Sequence, residues 1–143
     1  LGNEDYNYNL RKVIIDKGLE EHLKVCGFVN SKDIEAYYNN ADCTVLVSKS
    51  EGFGLSIIEG YTYGLPALVF KDLDAVKDLY SSDSMILVND RSDESLKNGM
   101  VEMIMHNWNK EKIIKYSENF KISSIARKYI ELYEKIMKLY KLY

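Results

Sequence analysis

The stretch SEGFGLSIIEGYTYGLP, residues 50–66, decides how this chain is read. It opens on a carboxylate, Glu51, followed by Gly52-Phe53-Gly54. It turns apolar through Leu55, Ile57 and Ile58, places a second carboxylate at Glu59, and stops at Gly64-Leu65-Pro66. The β-branched run Cys43 to Ser48 leads into it and the apolar run Ala67 to Phe70 leaves it. The pattern predicts strand, tight turn, a helix from about Leu55, a turn, and a second strand. Continuous apolar runs of this kind belong to strands covered on both faces, as in parallel sheets. Pro66, the only proline, begins a strand, where a missing N–H matters least.

Working outward, Leu1-Gly2 reads as the last turn of a strand whose earlier part is missing. Residues 5–17 read as a helix with Leu10, Val13 and Ile14 on one face and Gly18 as its stop. Leu23 to Phe28, with Val25 and Cys26, reads as a buried strand. Ser31 is an expected N-cap for a helix over residues 32–40, whose Ile34, Tyr37 and Tyr38 should face the sheet. Downstream of Pro66 the order is strand 67–70, short helix 73–80 and strand 85–88. Helices follow over about 93–106, 109–119 and 122–142, broken at Asn107-Trp108-Asn109 and Phe120-Lys121. Asn89 to Asp93 is polar turn material that can cap the first of them. Strands alternating with helices predict an α/β fold, a Rossmann-like parallel sheet with right-handed crossovers, flanked by helices and ending in a helical C-terminus.

Composition narrows the function classes. The 143 residues are 46% hydrophobic and 29% charged, an ordinary globular balance that allows one domain with a real core. No run is apolar and long enough to span a membrane, and the first ten residues lack a signal peptide's pattern. The net charge is −3, but residues 109–143 hold nine Lys/Arg against four Glu. That basic end could lean on an anionic membrane face, though a solvated helix face explains it as well. The density expected of a nucleic-acid binder is missing. Cys26 and Cys43 lie in apolar runs and read as small buried thiols, ahead of a disulfide or a metal pair.

The glycine turn between strand and helix suits an anion. Backbone N–H groups can approach a phosphate closely there, and the helix start adds a partial positive charge. Glu51 lies before the turn, and Glu59 lies eight positions later, inside the helix expected from about Leu55. A carboxylate accepts two hydroxyl hydrogen bonds, which is how sugar and ribose diols are held. Against this, Glu51 can be a helix-start charge and Glu59 a solvated helix residue. Glu59, however, sits between Ile57-Ile58 and Gly60, where a carboxylate needs a partner.

Here the sequence resembles the retaining glycosyltransferases of family 4, enzymes of the GT-B fold with two Rossmann-like domains facing a cleft. The resemblance rests on Glu51-Gly52-Phe53-Gly54 with Glu59 eight positions after Glu51. It is supported by Gly27-Phe28-Val29, Tyr38 ahead of Ala41-Asp42, Ser48, and Gly64-Leu65-Pro66. It implies that Glu51, the catalytic candidate, contacts the donor sugar's hydroxyls. The Gly52, Phe53, Gly54 and Leu55 backbone would hold a diphosphate, Glu59 the ribose diol, and Phe28 and Val29 would lie against the base. The implied donor is a UDP- or GDP-sugar, with no metal and no further cofactor. The implied acceptor is the hydroxyl of a glycan or lipid-linked sugar, in bacterial cell-surface polysaccharide or glycolipid assembly, in the cytoplasm or at the inner membrane face. The chain departs from the family where Lys71-Asp72 follows Phe70 in place of Gly-Gly; Lys71 there is either a charge for the site or a surface lysine.

Residues 1–143 are therefore expected to be the single C-terminal, donor-binding domain of a larger enzyme and inactive alone, since the resemblance places a cationic Arg/Lys pair in a segment upstream of the glycine strand and the acceptor site in a separate N-terminal domain. The apolar stripe on the last helix, Ile125, Tyr129, Leu132, Tyr133, Ile136, Met137 and Tyr140, is expected to pack on this domain at its near end and to be exposed at its far end; all of it being local core is the alternative. The rivals are another GT-B sugar-nucleotide enzyme, such as an epimerase or a phosphorylase, and a non-catalytic GT-B-like binding module. The first would need histidines or a cofactor lysine at the cleft, and His22 and His106 lie far from the signature in sequence.

Overall fold

The computed structural model describes residues 4–140, with side chains from Asn9 onward. The expectation for Leu1-Gly2 and the last two positions of the helix expected over 122–142 fall outside these residues. The chain divides between Tyr37 and Tyr38 into two compact units.

The first unit holds α1 (Glu4–Asp16) and most of α2 (Ser31–Asn39). Gly18, at φ 64°, stops α1: the Gly18 and Leu19 amides donate to the Ile15 and Ile14 carbonyls at 3.0 Å each. Ile14 is buried, whereas Leu10 and Val13 are exposed. The expected buried strand over Leu23–Phe28 is not formed. Residues 24–27 are irregular, Leu23 is 50% and Phe28 81% exposed, and Cys26 is an exposed free thiol rather than a buried one. The run is apolar enough for a strand, but a strand exists only through a ladder partner, and none is present among the described residues. The cap of α2 also lies one residue early, since the Asn30 carbonyl accepts from the Asp33 and Ile34 amides. Tyr37, expected to face a sheet, is exposed.

The second unit is an α/β layer structure. Strands β1 (Thr44–Leu46), β2 (Ala67–Phe70) and β3 (Met85–Val88) form a parallel sheet in the order β1-β2-β3. Helix α3 (Leu55–Thr62) connects the first two strands and α4 (Val76–Leu79) the second pair. Then come α5 (Asp93–Met105), α6 (Lys110–Ser117), a 3-10 turn (Glu118–Phe120) and α7 (Ile122–Tyr140). The central strand β2 is buried throughout, as its unbroken apolar run requires. Its side chains alternate between two cores. Ala67 and Val69 join Ile57, Tyr61, Leu79 and Ile113 on one face. Leu68 and Phe70 join Ile86, Val88 and Met103 on the other. The edge strand β1 departs from the expected full coverage, with Val45 at 43% and Val47 at 48% exposed. The free thiol of Cys43 is half-buried.

The helix ends follow local chemistry. Ser92 caps α5 by accepting from the Ser95 amide at 3.1 Å, and Asn109 caps α6 by accepting from the Lys112 amide at 2.9 Å. Between them, the Trp108 indole N–H donates to the Met103 carbonyl, turning the chain at the expected break. The helix expected over 73–80 contracts to Val76–Leu79, with Leu73 buried in the turn before it.

Helix α3 lies unusually close to the sheet. A Cβ built on Gly60 would stand 2.6 Å from Thr44 Cγ2 on β1, nearer than real carbon atoms approach. Tyr61, fully buried, donates its hydroxyl to the Leu79 carbonyl at 3.2 Å. Gly60→Ala should therefore destabilise the fold by roughly 1–3 kcal/mol through overpacking, although alanine is the better helix former. Urea unfolding of the variant beside the wild type measures it.

Candidate functional site

The site is built on the junction between β1 and α3, at the C-terminal edge of the sheet, where open α/β folds take ligands. Val47 to Gly54 leave β1 and turn into α3. Gly54 makes the turn possible in two ways. Its φ of 77° is left-handed, and a Cβ there would lie 2.9 Å from Leu79 Cδ1 and 3.3 Å from Ile57 Cδ1. Its carbonyl accepts from the Ile57 and Ile58 amides, so Gly54 is the N-cap of α3, and no side chain caps that end. The first amides of a helix have no partner within it, and α3 begins with its donors unclaimed by any side chain. Gly52 stands in open space, with no atom within 4 Å of the position its Cβ would take.

The other expected residues surround this turn. Glu51 is half-buried, Phe53 is 43% exposed and Leu55 is 64% exposed. Glu59 is on the exposed side of α3, not in its apolar stripe, because Ile57, Gly60 and Tyr61 occupy the buried face. It nonetheless has the partner its position called for. The Tyr38 hydroxyl donates to Glu59 Oε2 at 2.9 Å and also lies 3.3 Å from the Ser56 carbonyl. The Tyr38 ring stacks on Tyr63, with centroids 5.1 Å apart and planes 11° from parallel. Partial burial, then the hydrogen bond to Glu59, pushes the Tyr38 phenol up to about 12. The carboxylate is thus held at one oxygen, Oε2, by Tyr38.

Phe28 and Val29 belong to the other compact unit, where Phe28 is exposed and Val29 half-buried. Lys71 is exposed, and its amide extends the β2–β3 pairing by donating to the Val88 carbonyl. His106 lies against Trp108, with ring centroids 4.1 Å apart, at the end of α5. Tyr38 and Tyr63 were not singled out as a pair by any spacing in the sequence. A hydrogen bond spanning 21 positions has no local signature; the only trace was Tyr38 ahead of Ala41-Asp42.

The Tyr38–Glu59 bond carries a pH dependence. The phenol's folded pKa is raised above its unfolded value, so its contribution is complete below pH ~10 and is lost as pH rises toward ~12. The stability difference between wild type and Tyr38→Phe should shrink over that interval and be constant from pH 7 to 9, as read from denaturant midpoints.

Comparison with known proteins places the chain. The sequence profile described as glycosyl transferases group 1 matches residues 1–120. A Klebsiella pneumoniae protein described as an uncharacterized 41.2 kDa protein in the cps region is 25% identical over 124 residues, covering 85% of this chain and 35% of that protein. Among solved structures, that of the GtfA/B complex aligns with a TM-score of 0.72 and 19% identity, over 96% of this chain and 28% of that one. Sucrose-phosphate synthase from Thermosynechococcus elongatus aligns with a TM-score of 0.67 and 18% identity, over 92% of this chain and 34% of that one. The chain therefore spans about a third of the length of these relatives. Among the described residues no helix is long and apolar enough to cross a membrane. With its parallel sheet, its glycine turn and a profile match over most of its length, this chain belongs to the glycosyl transferases group 1 family, on the α/β architecture of the GT-B fold.

Proposed function

We propose that this chain is the donor-binding part of a retaining glycosyltransferase of family 4, holding a nucleoside-diphosphate sugar while the sugar passes to an acceptor hydroxyl. The observation that carries the reading is the start of α3, open, without a side-chain cap, and flanked by the two carboxylates Glu51 and Glu59. The Gly52–Leu55 amides and the helix start face the diphosphate and spread its charge over fixed dipoles. Glu51, on the loop before the turn, takes hydroxyls of the sugar. Glu59, oriented by Tyr38 through one oxygen, takes the ribose diol with the other. Departure of the diphosphate leaves an oxocarbenium-like sugar, and catalysis lies in stabilising both charges as they develop, with no metal in this reading.

The site's own side chains are acidic, so the cations opposite the diphosphate come from elsewhere in the protein. The relatives' greater length leaves room for further sequence that supplies these cations and for an N-terminal domain that holds the acceptor. The donor is a UDP- or GDP-sugar, the acceptor a glycan or lipid-linked sugar. Membership in cell-surface polysaccharide assembly is supported by the Klebsiella relative, which is described as lying in a cps region.

Titration calorimetry with UDP-glucose and GDP-mannose tests this. One of the two should bind, and Glu59→Ala and Glu51→Ala should each weaken it by roughly 1–3 kcal/mol, the range for a hydrogen bond to a charged group. Tyr38→Phe should weaken it less, since it frees Glu59 without removing it. Absence of heat with both nucleotide sugars would favour a non-catalytic module on the same fold.

A further inference from the structure

We propose that Arg91 is a positioning residue that straps the loop carrying Glu51 and the glycine turn to the ends of β2 and β3; its purpose rests on the donor-site reading above. The register between β1 and β2 ends at Leu46 and Val69, while β2 and β3 stay paired one residue further, to Phe70 and Val88. Val47 and Ser48 therefore lie past the end of the β1–β2 ladder. Arg91 takes the place of the missing rung. Its Nη2 donates to the Ser48 carbonyl at 3.0 Å, and its Nη1 lies 3.5 Å from the Val47 carbonyl.

The guanidinium is itself held on two sides. Its Nε and Nη2 donate to Asp72 Oδ2 and Oδ1, each at 2.9 Å, a fork-to-fork pair. Its Cζ stands 4.5 Å above the ring centre of Phe70, which is buried in the sheet. The pair also holds the Asp72 carboxyl below its usual range, chiefly through the hydrogen bonds from Arg91. One planar group thus joins the C-terminal ends of all three strands, and the loop that starts at Val47 leaves the sheet along a direction Arg91 sets. Three residues past Ser48 stands Glu51, and Gly52 to Gly54 follow. A lysine could not do this, because a single ammonium cannot grip Asp72 in a fork and reach the two carbonyls as well. The strap brings no net charge to the site, since Asp72 balances it.

The experiment compares the 143-residue chain with Arg91→Met and Arg91→Lys, by amide ¹⁵N relaxation and by titration with UDP-glucose and GDP-mannose. The strap predicts that Arg91→Met lowers the order parameters of Glu51 to Gly54 from about 0.85 toward 0.6 or below, while those of Leu68 to Phe70 hold. It predicts nucleotide-sugar affinity at least about tenfold weaker, and only partial recovery of both in Arg91→Lys. Unchanged loop order in Arg91→Met overturns the proposal, as does full recovery in Arg91→Lys, which would make charge and not the fork responsible. If Arg91→Met does not fold, Asp72→Ala frees the fork at a surface position, and the same loosening is expected; a rigid loop there overturns the strap. No nucleotide-sugar binding by the wild type overturns the donor reading and the loop's purpose with it, and the order parameters alone then decide whether Arg91 holds the loop.

Discussion

The close seating of α3 against β1 and α4 is the constraint on which the larger unit depends. Gly60 lets the helix backbone come within reach of Thr44, and Gly54 lets the chain enter the helix beneath Leu79. Ile57 and Tyr61 then fill the space between helix and sheet completely, and the Tyr61 hydroxyl finds the Leu79 carbonyl. A helix so close leaves its first amides at the sheet's edge. The same fit puts Glu59 on the outer face, because the inner face has no room for it. The packing of α3 and the placement of Glu59 are therefore one arrangement, and a larger residue at either glycine disturbs both.

Around that seat the polar groups divide the work. Tyr38 and Tyr63 make an aromatic shelf that holds Glu59 at one oxygen. Arg91 and Asp72 finish the sheet where β1 runs out. The departure at Lys71-Asp72 thus has a structural sense that the resemblance alone lacked: Asp72 is the anchor of a cross-strand clamp. Lys71, of the two readings a surface lysine, is exposed and contributes its amide to the sheet.

The last helix shows the opposite condition. None of its residues is buried, and Tyr129, Leu132, Tyr133, Ile136, Met137 and Tyr140 all lie open along one stripe. The stripe is therefore not local core. Its near end does meet the domain: Phe53, Phe120, Ile125, Tyr129 and Leu132 line an open apolar groove of about 570 Å³, bordered by Lys128. Phe53 of the glycine turn thus lines one groove together with residues of α7.

Much of this was legible in the residues themselves. The strands at 67–70 and 85–88, the start of α3 at Leu55, the stop at Gly18 and the break at Trp108 all follow from local rules of period, cap and turn, which act over a few residues. Leu23–Phe28 was misread for the same reason that those were read well: an apolar run reports burial potential, while a strand needs a partner that the run cannot name. Local sequence determined the glycine turn, both carboxylates and the alternation of strand and helix, because each is a property of neighbours along the chain. Only the tertiary structure decided that Glu59 answers to Tyr38 and that Arg91 closes the end of β1. Those contacts join positions 21 and more than 40 residues apart, and they exist because the sheet and α3 bring distant backbone to within hydrogen-bond reach.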